Sequence, residues 1–175
     1  MATSLATSAN LMPTYGRQAV AFVRGEGSYL IDSEGKRYLD AVAGVAVNSL
    51  GHAHPGFTAA IREQVGTLVH TSNLYEIPLQ TRLAEVLCEK SGMQQVFFCN
   101  SGAEAIEASI KLARKYGHSK GITVPTILVM EGAFHGRTMG ALTATHSNKY
   151  QEGFTPMLDG FVRVPYNNVA AVQTA

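Results

Sequence analysis

The chain has 175 residues, of which 46% are hydrophobic and 15% are charged. This balance excludes a disordered chain, which needs low hydrophobicity and high charge, and the length suits one domain with a sizeable core. The net charge of +1 gives no electrostatic reason to expect binding to nucleic acid or to an anionic membrane.

The N-terminal residues predict no secretory signal, because residues 1–10 have neither a basic start nor a long apolar core. A transit peptide is the alternative, since the first acidic residue is Glu26 and two arginines precede it. No apolar run approaches the ~18–20 residues that a membrane-spanning helix needs. Cys88 and Cys99 lie among apolar residues and predict buried, reduced thiols. We therefore expect a cytoplasmic protein without a membrane span.

Small antiparallel structure is predicted first. Residues 22–23 and 28–31 are strand-like, and residues 32–35 hold the Asp and Gly that favour a tight turn. Residues 36–39 then return as another strand.

Two amphipathic helices follow. The first begins near Pro55, and its apolar face holds Phe57, Ile61, Val65, Leu68 and Val69. The second begins at Pro78, since proline is favoured at the first helical position, and ends at Ser91-Gly92. Three histidines in this half are His52, His54 and His70. They predict no metal site, because no Cys or carboxylate set completes one.

A short apolar run at residues 96–99 is typical of a buried strand. Residues 103–116 predict a strong helix, favoured by the i,i+4 pair of Glu107 and Lys111. Gly117 is expected to end that helix.

Two further apolar runs, residues 126–130 and 161–164, predict more buried strands. A strand, a helix and another strand in this order form a βαβ unit, whose sheet is parallel. The predicted fold class is therefore α/β.

The turn at residues 100–103 joins the first predicted strand to its helix. Free N–H groups and the helix dipole at such a turn favour an anion, typically a phosphate. Ser101 offers a hydroxyl, Gly102 lets a ligand approach the backbone, and Ala103 adds little bulk. The alternative is that Ser101 is only an N-cap, with Glu104 completing a capping box. The turn matches neither a Walker A loop nor a dinucleotide fingerprint.

A second polar cluster, residues 131–138, directly follows a predicted strand. Ligand sites in open α/β sheets lie at the carboxyl ends of strands, so we expect this cluster and the 100–103 turn at one edge. Phe134 could stack on a planar ligand beside the imidazole of His135, and Arg137 could grip a carboxylate. A glycine-bearing loop with a core Phe and a surface Arg is the alternative.

Motifs along nearly the whole chain resemble one family. The pieces are Pro-Thr-Tyr-Gly-Arg at 13–17, Gly-Glu-Gly at 25–27, Asp-Ser-Glu-Gly-Lys-Arg-Tyr-Leu-Asp at 32–40, Asn-Ser-Leu-Gly-His-Ala-His-Pro at 48–55, His-Thr-Ser-Asn-Leu-Tyr at 70–75, Phe-Phe-Cys-Asn-Ser-Gly-Ala-Glu-Ala at 97–105 and Ala-Phe-His-Gly-Arg-Thr at 133–138. In this order they resemble the N-terminal part of class III aminotransferases, which are fold-type-I pyridoxal phosphate enzymes. The acetylornithine group of that family is the most similar.

The resemblance implies roles for six residues. The implied cofactor-binding residues for pyridoxal 5'-phosphate are Ser101, Gly102, Ala103, Phe134 and His135. Of these, Gly102 and Ala103 chiefly hold the phosphate, and Phe134 stacks on the pyridine ring. Arg137 is implied to bind a carboxylate of the substrate.

The resemblance also implies that no catalytic residue lies in this chain. The lysine that forms the Schiff base and the carboxylate on the pyridinium nitrogen fall after residue 175. Residues 1–55 are expected to contribute to a small domain. Residues 56–175 are expected to form the first part of the cofactor-binding large domain, with a mostly parallel, incomplete sheet. The whole enzyme is expected to be a homodimer.

The implied reaction moves the terminal amino group of N2-acetylornithine to 2-oxoglutarate, in arginine biosynthesis. Ile106 stands where the acetylornithine group usually has Asn, and residues 144–148 also depart from the usual pattern. The alternatives are a related ω-aminotransferase acting on succinylornithine, ornithine or 4-aminobutyrate, a non-catalytic fragment, or a nucleotide-binding domain.

Overall fold

A three-stranded antiparallel sheet comes first in the computed structural model, which describes residues 10–175. The strands β1 (Phe22–Glu26), β2 (Tyr29–Asp32) and β3 (Arg37–Leu39) lie in chain order. The turn between β2 and β3 forms because Asp32 Oδ1 accepts the backbone N–H groups of Glu34 and Lys36, each at 2.9 Å. The predicted antiparallel structure is thereby confirmed.

The chain divides into two units, Met1–Pro78 and Leu79–Ala175. The expected domains, residues 1–55 and 56–175, describe the organisation of a whole enzyme and stay a prediction. The expectation about a targeting segment falls largely on residues 1–9, which lie outside the described residues.

Asp40 and His52 form a hydrogen-bonded pair in the first unit. His52 Nε2 lies 2.7 Å from Asp40 Oδ2, and Asn48 Nδ2 lies 2.9 Å from His52 Nδ1. The hydrogen bond from His52, followed by that from the N–H of Ala43, lowers the pKa of Asp40. His52 therefore has a structural role, and residues 10–175 contain no group of three side chains that could hold a metal ion.

The next elements of the first unit are a short turn, α1 (Ala43–Ala46), and the helix α2 (Pro55–Thr67). His54 caps α2, because its Nδ1 accepts the N–H of Phe57 at 3.3 Å. The helix predicted from Pro55 is confirmed. Its predicted apolar face is exposed at Phe57, Ile61 and Val65. Leu68 and Val69, predicted on the same face, follow the end of the helix at Thr67 and are also exposed.

The remaining elements are five helices and two strands. They are α3 (Pro78–Ser91), α4 (Gly102–Ser119), β4 (Ile127–Met130), α5 (Met139–Ala144), α6 (Asn148–Gln151), β5 (Phe161–Val164) and α7 (Val169–Thr174). β4 pairs with β5 in parallel, with Ile127 opposite Phe161 and Met130 opposite Val164. The predicted parallel α/β arrangement is confirmed for these two strands.

The strand predicted at residues 96–99 is wrong for this structure. A strand needs ladder hydrogen bonds, and within residues 10–175 this segment pairs with no other strand. Val96 and Phe98 are half-buried, whereas Phe97 is 71% exposed. Cys99 is exposed rather than buried, and its thiol lies 3.4 Å from the carbonyl oxygen of Ser101.

Gly117 does not end α4, which continues to Ser119. Gly117 is buried, and a Cβ at this position would lie only 2.7 Å from Cβ and Cγ of Pro125. The glycine therefore allows the helix to pass close to the loop before β4. A pattern that marks helix ends also marks close contacts, and the sequence alone does not separate the two.

The most buried segment of the second unit is α5 with the residue that follows it. Ala141 is 0% exposed and Thr145 is 1% exposed, and Val129 of β4 and Val164 of β5 are also buried. Among residues 10–175, no helix is both long enough and apolar enough to cross a membrane.

Candidate functional site

The turn at residues 100–103 is capped by its own side chains. Ser101 Oγ accepts the N–H of Glu104 at 3.2 Å, and the Glu104 carboxylate accepts the N–H of Asn100 at 2.7 Å. Hydrogen bonds from Asn100, followed by those from Ser101, lower the pKa of Glu104. The predicted N-cap and its partner are confirmed, and the Ser101 hydroxyl is engaged with Glu104.

The N–H groups of Gly102 and Ala103 have no acceptor among residues 10–175. They belong to the first turn of α4, where helix geometry supplies no partner. The 18-residue helix adds positive potential at the same point. These two donors and the open space around Gly102 suit an anionic group.

Gly136 brings the second predicted cluster to this helix. A Cβ at Gly136 would lie 3.1 Å from Cβ and 3.3 Å from Cα of Ala103, and Gly136 has a φ of +133°. The missing side chain allows the loop at residues 133–138 to rest on the first turn of α4. The structure therefore places the two predicted clusters side by side.

Phe134 and Arg137 lie in an aromatic group that includes Tyr150. The Phe134 and Tyr150 rings meet edge to face at 5.9 Å, and the Arg137 guanidinium lies 5.7 Å from the first ring centroid and 5.3 Å from the second. Phe134 is 58% exposed, so the alternative of a core Phe is wrong. Sequence reasoning missed Tyr150, which no motif links to Phe134.

His135 lines a different cavity from Phe134. Its half-buried side chain faces an apolar groove of about 330 Å³ that α4, β4 and β5 enclose. Ile106 lines the same groove, which gives its apolar side chain a packing role. Phe134 instead lines a cleft of about 400 Å³ with His146 and Tyr150. A cofactor contact by His135 stays a prediction.

Residues 145 and 146 fix the backbone of the Phe134 loop. Thr145 Oγ1 accepts the N–H of His135 at 2.9 Å, and the N–H of His146 donates to the carbonyl of Ala133 at 2.9 Å. His146 Nδ1 accepts the N–H of Gly132. The departure from the family pattern at residues 144–148 thus has a structural effect, because the His146 imidazole closes this loop.

Glu107 is a further residue that sequence reasoning missed in this role. Its Oε1 accepts hydrogen bonds from Thr138 Oγ1 at 2.6 Å, the N–H of Gly140 at 3.0 Å and the N–H of Ala141 at 3.1 Å. The Thr138 hydroxyl is the largest cause that lowers the pKa of Glu107. Glu107 therefore caps α5 from another helix, rather than pairing with Lys111.

The other end of α5 is capped by side chains that follow it. Arg163 Nη2 donates to the carbonyls of Thr143 and Thr145 at 3.1 and 3.0 Å. Gln151 Nε2 donates to the carbonyls of Leu142 and Thr145 at 3.0 and 2.9 Å. An anion at the N-terminus and a cation at the C-terminus complement the helix dipole.

The family of the chain follows from a match over nearly its whole sequence. A family model described as Aminotransferase class-III matches residues 12–175. The chain belongs to the class III aminotransferases. The family inferred from the motifs is therefore confirmed.

Two curated class III relatives show high identity. The acetylornithine aminotransferase of Nitrosomonas europaea is 59% identical over 163 residues, which cover 93% of this chain and 42% of that protein. The acetylornithine aminotransferase of Gloeobacter violaceus is 57% identical over 165 residues, which cover 94% of this chain and 41% of that protein. The chain thus spans about two fifths of the length of these relatives.

Solved structures confirm the expected α/β transferase fold. The ornithine aminotransferase of Toxoplasma gondii matches with a TM-score of 0.90 and 28% identity, over 94% of this chain and 40% of that chain. The N-acetylornithine aminotransferase of Stenotrophomonas maltophilia matches with a TM-score of 0.74 and 36% identity, over 91% of this chain and 38% of that chain.

Proposed function

We propose that the whole protein containing this chain transfers the terminal amino group of N2-acetylornithine to 2-oxoglutarate, with pyridoxal 5'-phosphate as cofactor. The structural observation that carries the proposal is the contact of Gly136 with Ala103. It joins a pair of backbone N–H donors to a loop that bears an exposed ring and a guanidinium. The 59% and 57% identity to two proteins named acetylornithine aminotransferase supports this choice of substrate.

The residues of the 100–103 turn fit the cofactor phosphate. The N–H groups of Gly102 and Ala103 would hold it, because within residues 10–175 they have no other acceptor. The Ser101 hydroxyl is engaged with Glu104 and would support the turn. When bound, the cofactor supplies an electron sink for the reacting carbon.

Phe134 and Arg137 fit the remaining parts of such a ligand. The exposed face of Phe134 would stack on the cofactor ring, and Arg137 would bind a substrate carboxylate through its planar fork. Both proposed substrates carry carboxylates. Arg137 lies against the rings of Phe134 and Tyr150, so its guanidinium is already oriented before a substrate arrives.

Competing amino donors test the proposed substrate. The whole protein with pyridoxal phosphate would be assayed on acetylornithine, succinylornithine, ornithine and 4-aminobutyrate, with 2-oxoglutarate as acceptor. We expect the highest kcat/KM for acetylornithine. A clear preference for 4-aminobutyrate would contradict the proposal.

A related ω-aminotransferase acting on ornithine is the second candidate. The observation that favours it is the TM-score of 0.90 to the ornithine aminotransferase of Toxoplasma gondii. A higher kcat/KM for ornithine than for acetylornithine in the same assay would select this candidate. We further propose that the whole protein is a homodimer, as the family resemblance implies, and that it is cytoplasmic.

A further inference from the structure

The helix α4 contacts the segment from Gly136 to Ala141 at two points. At the first, Ala103 lies against Gly136, where an added Cβ would come within 3.1 Å of Ala103 Cβ. At the second, Glu107 Oε1 accepts hydrogen bonds from Thr138 and from the two backbone N–H groups at residues 140 and 141. Residues 103 and 107 are four apart, so both contacts lie on one face of the helix.

Arg137 lies between these two contacts. Its preceding residue, Gly136, is fixed on Ala103, and its following residue, Thr138, is fixed on Glu107. The backbone of Arg137 is therefore held on both sides. Its guanidinium lies over the rings of Phe134 and Tyr150, so the direction of the side chain depends on this anchored backbone.

We propose that Glu107 is a positioning residue, which fixes Thr138 to Ala141 on α4 and so aims Arg137 at the substrate carboxylate. The inference rests on the substrate-binding role proposed for Arg137. Glu107 does not touch the substrate in this proposal. It acts through the residue next to Arg137 and through the first turn of α5.

The contacts of Glu107 need an acceptor oxygen at this reach and favour a carboxylate. Hydrogen bonds to an ionised acceptor are stronger than those between neutral groups, and the first turn of α5 presents free N–H donors. The hydrogen bonds from Thr138, Ala141 and Gly140 lower the pKa of Glu107 and so favour its ionised form. A Cβ at Gly140 would lie 2.7 Å from both carboxylate oxygens, so a larger residue there would shift the Glu107 carboxylate away from these donors.

Kinetics of the whole protein test the proposal with two variants at residue 107. Glu107→Ala removes all three hydrogen bonds, and we expect KM for acetylornithine to rise about tenfold with kcat changed by less than about twofold. Glu107→Gln keeps an oxygen at the Oε1 position, and we expect KM within about threefold of the wild type. A merely structural role would lower kcat in proportion to the folded fraction and leave KM unchanged, which would overturn the proposal.

Lys111→Ala is the matched control on α4. If Glu107 acted only through an i,i+4 pair with Lys111, this variant would raise KM as Glu107→Ala does, and the proposal would be wrong. We expect wild-type kinetics. Thr138→Val removes one of the three hydrogen bonds without changing α4. We expect it to raise KM about threefold, and this variant provides the test if Glu107→Ala does not fold.

A double-variant cycle separates this inference from the proposed function. Arg137→Ala alone tests whether Arg137 binds the substrate, and an unchanged KM in that variant would overturn its proposed role. If Arg137→Ala raises KM, then Glu107→Ala combined with it should raise KM no further, because Glu107 acts through Arg137. Additive effects would overturn the positioning role and leave the role of Arg137 standing.

Discussion

Gly136 is the residue on which the contact between the loop and α4 depends. Its φ of +133° is one that residues with a Cβ rarely adopt, and the added Cβ would also lie 3.0 Å from Ala141 Cβ. We expect Gly136→Ala to lower the free energy of unfolding of the whole protein by about 2–3 kcal/mol, measured by urea denaturation. Gly132→Ala is the control, because Gly132 has a φ of +76° with open space around it. It should cost only about 1 kcal/mol. Equal losses of unfolding free energy in Gly136→Ala and Gly132→Ala would show that crowding of residue 136 against α4 contributes nothing to stability.

The lysines of this chain give a second prediction at the scale of single residues. The chain has six, Lys36, Lys90, Lys111, Lys115, Lys120 and Lys149, and all are exposed. A lysine that reacts with the cofactor needs a desolvated pocket or another cation beside it. After borohydride reduction with pyridoxal phosphate, we expect mass spectrometry to find no lysine of the chain specifically modified.

Specific modification of Lys149 is the result that would contradict this prediction about the lysines. It lines a cavity of about 350 Å³ together with Arg137 and Tyr150. Stoichiometric phosphopyridoxylation at Lys149, with the other five lysines unmodified, would show that the chain holds its own cofactor-linked lysine. Low, uniform labelling of all six would match ordinary exposed amines.

The candidate site could be predicted in part from single residues. Ser101, Phe134 and Arg137 carry the functional groups of the site within short motifs, and their residue types already indicate capping, stacking and carboxylate binding. Glu107 and Tyr150 could not be assigned in this way. Their contacts are with residues 13 to 34 positions away, and the local pattern around Glu107 favoured a different partner on its own helix.

At the scale of elements, α5 shows how a six-residue helix is stabilised by side chains outside it. A helix of this length is marginal by itself in water. Glu107 accepts the N–H groups of its first turn, and Arg163 donates to carbonyls at its last turn. The helix therefore depends on charges brought from α4 and β5.

The low pKa of Glu107 predicts how this cap responds to acid. Its ordinary value is 4.5, and the Thr138 hydroxyl, followed by the N–H groups of Ala141 and Gly140, lowers the value in the folded state. The stabilisation is therefore fully present above about pH 4.5 and is lost as the pH falls through the lower folded value. At pH 7 we expect the free energy of unfolding of the wild-type whole protein to be about 1 kcal/mol higher than that of the Glu107→Gln variant. That difference should narrow below pH 4.5.

Urea denaturation of both proteins between pH 7 and pH 3 measures this difference. A difference in unfolding free energy that stays constant between pH 7 and pH 3 would show that ionisation of Glu107 contributes nothing to stability. A gap that widens in acid would contradict the direction of the pKa change.

Local patterns predicted the helices better than the strands. Prolines, caps and apolar periodicity predict the helices α2, α3 and α4. These signals are properties of neighbouring residues. The run at residues 96–99 has the composition of a strand, but strand formation depends on a partner elsewhere in the chain. Within residues 10–175 that partner is absent.

The whole chain exposes large apolar side chains that a stable monomer would cover. Phe97 is 71% exposed, and the stripe on α2 that begins at Phe57 is exposed along its length. Exposed apolar side chains of this kind favour association. We expect the 175-residue chain by itself to self-associate, with a sedimentation coefficient that rises with protein concentration.

Substitutions on α2 check the source of that association. Ile61→Ser with Val65→Ser removes two apolar side chains from the middle of the stripe, and we expect it to weaken the concentration dependence. Arg62→Ser with Glu63→Ser alters the same helix outside the stripe and serves as the control. A monomeric wild-type chain at every concentration would contradict the prediction.

The absence of a side chain at Gly140 links two positions that lie 33 residues apart. An alanine there would force the carboxylate of Glu107 to shift, and a shorter residue at position 107 would leave the N–H groups of the α5 first turn without this acceptor. Neither position can change alone without loss. Among class III aminotransferases we therefore expect substitutions at positions 107 and 140 to be correlated, which would make this contact detectable from aligned sequences.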